Sequence, residues 1–190
     1  MQYHKNTNGF TLFEVMVGIT IGVMLLGVVL SIYTLSVKSL SSTQNRAEAV
    51  QNGRIVLERL TRDIRQSRDI ATILPPDDTN PLNPPPNEII VQDGHNTQLL
   101  QYVRYYLNGT DLYRQVLQYH FVDEPTVLVN YDAEDEFGNP PISTTISDQL
   151  VGQYIDDIDY YGVDLITVVV TLSKGSVTHV TTTSIFGRNL

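Results

Sequence analysis

Three residues near the N-terminus have types and spacing that suggest chemistry: Gly9, Phe10 and Glu14. Glu14 lies in an apolar run from Phe10 to Tyr33, where it is the only ionisable side chain before Tyr33. An acid in lipid costs roughly 2.5–3.5 kcal/mol on insertion scales, so it calls for a partner. Gly9 is the small residue just before the run and offers a cleavage position. Cutting after it makes Phe10 the N-terminus, with a free α-ammonium. On a helix, residues four apart share a face about one turn from each other. The Phe10 amine and the Glu14 carboxylate could then neutralise each other, within a chain or between neighbours. A plain single-pass anchor with a stray acid is the alternative.

Elsewhere the chemical signals are weaker. His4, His95, His120 and His179 are scattered and form no His-x-x-x-His or Glu-x-x-His pair, so they suggest no metal site. There is no Gly-rich phosphate loop and no Gly-x-Ser-x-Gly elbow. With no cysteine, disulfides and thiolate metal sites are excluded. "DAEDEFGN" supplies Asp132, Glu134, Asp135 and Glu136 as the best metal candidates, with oxygen atoms suited to Ca²⁺. Their spacing lacks the twelfth-position Glu of an EF-hand, and a solvated acidic loop is the preferred reading. Asp156, Asp157 and Asp159 read as acids facing water beside a sheet edge. Nine of the eleven tyrosines lie between 102 and 161 and suit an amphipathic sheet, with a sugar- or surface-binding patch as the minor reading. Asn108-Gly109-Thr110 fits a glycosylation sequon, though an Asn-Gly turn explains it better. No catalytic residue and no cofactor is expected.

These residues need elements to position them. Phe10–Tyr33 exceeds the ~20 residues that span a bilayer. No Ala-x-Ala cleavage site follows it, as a secretory signal would require. Beyond it no Pro occurs before Pro75. Ala47, Val50, Leu57, Leu60 and Ile64 recur near helical spacing, which predicts one helix over 10–67 whose second half is amphipathic. On that half Glu58 and Arg62 form an i,i+4 pair in the favourable order, and Arg59 and Asp63 one in the less favourable order. The expected setting of both is a solvated charged face. "PPDDTNPLNPPPN" (75–87) is a surface loop. Strands follow: 88–93; a hairpin over 98–118 about Asn108-Gly109; 126–131; and a hairpin over 163–186 about Lys174-Gly175. In the last, Ile166, Val168, Val170 and Leu172 share one face. Residues 147–162 fit either a short helix or a strand. The expected class is α+β, a long helix packed on an antiparallel sheet domain.

Charge is divided along the chain. Residues 1–68 hold eight Lys/Arg against four acids, and the remainder four against 17. So acidic a C-terminal part argues against binding nucleic acid by its surface.

"KNTNGFTLFEVMVGITIGVMLLGV" resembles the N-terminus of type IV prepilins and of type II secretion pseudopilins: a short leader ending in Gly, then Phe-Thr-Leu-x-Glu, then an apolar helix. "RIVLERLTRDIRQS" (54–67) resembles the minor pilins of the PilW type and the J-type minor pseudopilins (GspJ). The hairpin "YVRYYLNGTDLYRQV" and the ending "TSIFGRNL" do so less specifically. Many major pilins carry a Pro partway along this helix, and its absence here leans away from them.

The resemblance implies a type IV pilin-like fold: leader 1–9, transmembrane or filament-core helix 10–34, amphipathic helix 35–68, Pro-rich loop 69–87 and β-rich head 88–190. It implies cleavage between Gly9 and Phe10 by prepilin peptidase, N-methylation of Phe10, and engagement of Glu14 with a neighbour's amine. Gly18, Gly22 and Gly27 would allow close helix approach. The expected work is assembly, not catalysis: a minor pilin or pseudopilin that helps prime or cap a type IV pilus or a secretion pseudopilus. Expected partners are prepilin peptidase, other minor and major pilins, and membrane lipid before assembly; no nucleic acid is expected. Lys5 on one side of the span and Lys38 and Arg46 on the other leave orientation undecided by charge. The resemblance implies an inner-membrane precursor with a cytoplasmic N-terminus and an extracytoplasmic head. A filament-borne adhesin or DNA-uptake pilin is the alternative; an anchored enzyme lacks any motif.

Overall fold

The computed structural model describes residues 9–95 and 99–187. Most of the leader, the start of the segment expected to form a strand at 98, and the end of "TSIFGRNL" lie outside the described residues. The chain divides into two units, Met1–Gln44 and Asn45–Leu190.

One helix, α1, runs Leu12–Gln66. It has 55 residues and passes from the first unit into the second. It starts two residues later than the expected Phe10, because Thr11 serves as its N-cap. It ends at Gln66, where the Ser67 hydroxyl donates to the Ile64 carbonyl at 2.7 Å. Within the first unit the apolar side chains are exposed from Leu12 to Leu40. Here Thr20 and Ser31 donate their hydroxyls to the carbonyls of Met16 and Gly27, each at 2.8 Å. Such back-bonding satisfies polar groups that have no water in a membrane.

In the second unit burial begins at Ala49 and continues through Gly53, Val56, Leu60, Asp63 and Ile64. These spacings of three and four make one stripe on α1. The stripe is rotated from the expected one: Ala47 and Val50 are exposed and Leu57 is half-buried, while Ala49 and Val56 are fully buried. Val50 and Leu57 fit the helical period equally well, and only the position of the sheets decides between the two stripes.

Two antiparallel sheets cover the stripe, where one was expected. The first contains β1 (Ile89–Gln92), β2 (Tyr102–Asn108), β3 (Asp111–His120), β4 (Leu128–Val129) and β5 (Ile142–Gly152). The second contains β6 (Ile155–Tyr161), β7 (Leu165–Lys174) and β8 (Val177–Phe186) in that order. The segment left open at 147–162 holds strand and no helix: β5 ends at Gly152 and β6 begins at Ile155. Of 126–131 only two residues form strand. The shared core joins Val56, Leu60 and Ile64 of α1 to Val103 and Leu112 of the first sheet and Ile158, Val168 and Val170 of the second. Ile166, Val168, Val170 and Leu172 all face it, as their alternation predicts.

Both hairpins turn one residue later than expected. Asn108 pairs with Asp111 and Lys174 with Val177, so the central pairs are Gly109-Thr110 and Gly175-Ser176. Each glycine has φ near +64° while the residue after it does not, the pattern of a turn with glycine in its first central position. The Pro-rich segment is irregular, as expected.

Candidate functional site

The N-terminal constellation is built by the start of α1. The Thr11 hydroxyl accepts from the Glu14 N–H at 3.3 Å, and the Glu14 carboxylate accepts from the Thr11 N–H at 2.9 Å and from its hydroxyl at 3.0 Å. This is a reciprocal capping box, in which two helix-end donors without intrahelical partners are satisfied at once. The sequence carries its signature, Thr-x-x-Glu at 11–14, which the reading of Glu14 as an acid seeking an amine passed over. Phe10 precedes the helix and is 86% exposed, so the expectation that Phe10 and Glu14 share a helical face is corrected. Thr11 occupies the cap position that would have to be helical for that face to exist. Gly9 is exposed beside Phe10, and a methyl group at Gly9 would meet nothing within 4 Å.

After this cap the helix is long and apolar enough to cross a membrane, with a mean hydropathy of 2.6 in its most apolar window and none of that window buried. Methyl groups at Gly18, Gly22 and Gly27 would likewise meet nothing within 4 Å. The surface left there is apolar, with small residues that permit close approach of another helix.

A second constellation fastens α1 within the head. Asp63 is 8% exposed, and its Oδ2 accepts from the Tyr105 hydroxyl and from Arg114 Nε, each at 2.7 Å. Tyr105 of β2 and Arg114 of β3 are direct cross-strand partners, so one carboxylate locks the helix to two strands. Burial and the Asp63 charge push the Tyr105 hydroxyl far above its ordinary range. Burial pulls the Arg114 guanidinium down, but its bond to Asp63 and that charge more than restore it. The expected Arg59–Asp63 pairing on a solvated face is therefore corrected: Arg59 instead donates weakly to Gln149 at 3.4 Å. The signal was present, since Asp63 sits three residues after Leu60 and seven after Val56, inside the buried stripe. Lys174 of β7 pairs with Glu48 at the other end of the stripe.

Asp135 accepts from the Phe137 and Asn139 backbone N–H groups and from the Asn139 side-chain amide, all at 2.8 Å. The Asn139 bonds hold its carboxyl below the ordinary range. Asp132, Glu134 and Glu136 do not join it: among the described residues no three of His, Asp or Glu are grouped to hold a metal ion. Of the other acids, Asp156 and Asp157 are exposed and Asp159 half-buried. Burial, then the charges of Asp157 and Asp78, raise the Asp159 carboxyl. Several tyrosines pack on one another: Tyr102 edge-on to Tyr119 and Tyr131, and Tyr106 stacked on Tyr113 at 5.6 Å.

The prokaryotic N-terminal methylation motif matches residues 4–30, which include Gly9, Phe10 and Glu14. No curated protein and no solved structure matches the chain. With the apolar start of α1 and the antiparallel sheets, the motif supports a type IV pilin-like prepilin of the α+β class, anchored in the inner membrane before assembly. It implies processing by prepilin peptidase and assembly with other pilins, the role of a structural subunit.

Proposed function

We propose that this chain is a minor pilin or minor pseudopilin of the PilW/J type, which helps to prime or cap a type IV pilus or a type II secretion pseudopilus. Prepilin peptidase cuts between Gly9 and Phe10, and the new Phe10 amine is methylated. The head lies outside the cytoplasmic membrane, and the subunit is then drawn into a filament. The observation that carries this reading is the unburied apolar surface of α1 from Leu12 to Leu40, directly behind the methylation motif. Lipid covers that surface first, and neighbouring helices cover it in the filament. The "RIVLERLTRDIRQS" stretch and the lack of any Pro within α1 support a minor subunit.

Glu14 has two roles to separate: capping its own helix and neutralising a neighbour's amine. Glu14→Gln keeps the cap, since Gln serves in a capping box as Glu does, and removes the charge. Thr11→Val removes the cap and keeps the charge. The test measures mature subunit in the membrane and, separately, subunit incorporated with partner pilins. Glu14→Gln should be cut normally and fail to incorporate, because an unpaired ammonium in an apolar filament core costs about 3–5 kcal/mol. Thr11→Val should incorporate. Normal incorporation of Glu14→Gln would reduce Glu14 to a helix cap.

A further inference from the structure

The two sheets have four outer edges, and the chain treats them differently. Residues 68–72 cover β1: Gln92 N–H donates to the Asp69 carbonyl at 2.8 Å, Ala71 N–H to that of Ile90 at 2.9 Å, and Ile90 N–H to Thr72 Oγ1 at 2.8 Å. Loops cover β6: Tyr160 N–H donates to the Pro86 carbonyl at 3.3 Å and Ile155 N–H to that of Thr110 at 2.9 Å. The β5–β3 ladder is broken by two register shifts, one of the ways natural edges are blunted. β8 has none of these protections. It pairs with β7 over ten residues without a shift, and "VTHVTTTSIF" contains no Pro, Lys, Arg, Asp or Glu. Among the described residues nothing pairs with its outer edge.

The hairpin fixes which groups are free. A two-residue loop makes Lys174 and Val177 a hydrogen-bonded pair, and bonding then alternates along the ladder. The N–H groups of Thr178, Val180, Thr182, Ser184 and Phe186 consequently point away from β7. Beside β8 lies a groove of about 720 Å³, lined by Arg54, Leu57, Arg62 and Arg65 of α1 and His179 and Thr181 of β8. Glu58 is the one acid in its lining.

We propose that β8 is a strand-addition site. Its occupant is an extended segment of a neighbouring filament subunit, with acidic side chains at alternate positions. The main chain of that segment takes the five free amides and the carbonyls between them. Its groove-facing side chains meet Arg54, Arg62 and Arg65, which favours Asp or Glu there and rejects Lys. The proposal rests on the filament reading above, and its test separates the two.

Hydrogen exchange is measured residue by residue on the full chain in detergent micelles and on the same chain in sheared filaments. In micelles the five amides should exchange rapidly. In filaments they should slow at least about 10-fold, as paired strand amides do. Thr182→Pro removes only an outward N–H, a position where an edge strand tolerates proline. It should abolish the slowing at Val180 and Ser184, while unchanged β6–β7 protection in micelles reports an intact fold. Arg62→Glu should lose at least half of the slowing with the chain still in filaments. A chain found in filaments with these amides as fast as in micelles overturns strand addition and leaves the filament reading intact. Unchanged slowing in Arg62→Glu overturns the acidic partner. A chain that never enters filaments overturns both.

Discussion

The two halves of α1 differ in how their apolar side chains are covered. From Leu12 to Leu40 its large apolar side chains are exposed. From Ala49 to Ile64 it carries a fully buried stripe that two sheets enclose. Apolar character alone does not distinguish them, since the half with the greater hydropathy is the unburied one. The second half is apolar on one side because its partner is its own chain. The first is apolar all round, the form that suits lipid or a ring of neighbouring helices. Mutations in the second half should therefore act on folding, and mutations in the first on insertion and assembly.

The largest stability effect is expected at Asp63. Asp63→Ala leaves the half-buried Arg114 guanidinium without its carboxylate and the buried Tyr105 hydroxyl without its acceptor, at a cost of about 3–5 kcal/mol. Urea unfolding of the full chain in micelles measures it. A loss under about 1 kcal/mol would mean that water replaces the carboxylate and the helix–sheet lock is weak. Leu60→Ala comes next, with about 2–5 kcal/mol lost from transfer and cavity terms. Its counterpart Leu25→Ala, 62% exposed, should leave head unfolding unchanged within about 0.5 kcal/mol. Equal effects of the two leucines would erase the contrast between the halves. The smallest effect belongs to Asp159. Its carboxyl is raised above 3.8 by burial and by Asp157 and Asp78, so its charged form opposes folding at neutral pH. Asp159→Asn should gain about 0.5 kcal/mol or less there. That gain should shrink as pH falls through the carboxyl range and vanish well below 3.8, where the folded and unfolded states are both protonated. A gain undiminished at pH 3 would assign it to packing instead of charge.

What was legible in the sequence follows the same divide. The apolar span and the methylation motif of the first half are local signals, set by residue type and a spacing of a few positions. The β7–β8 hairpin was legible too, from alternation and Gly175. Less could be read where distant segments decide the outcome. Which stripe of α1 is buried depends on sheets 25 or more residues away, and Val50 was no worse a candidate than Val56. Asp63 looked like half of an i,i+4 pair because its real partners, Tyr105 and Arg114, lie 42 and 51 residues further on. The split into two sheets was hidden for a similar reason. Thr11 is a different case: its capping box with Glu14 is entirely local, and Thr-x-x-Glu at 11–14 is its signature.

The central claim is that the first half of α1 becomes filament core after the leader is removed. Mass spectrometry of this chain, recovered from sheared filaments, tests it most directly. The expected mass is that of a chain beginning at Phe10 with one added N-methyl group. An intact Met1 on subunits within the filaments would contradict it.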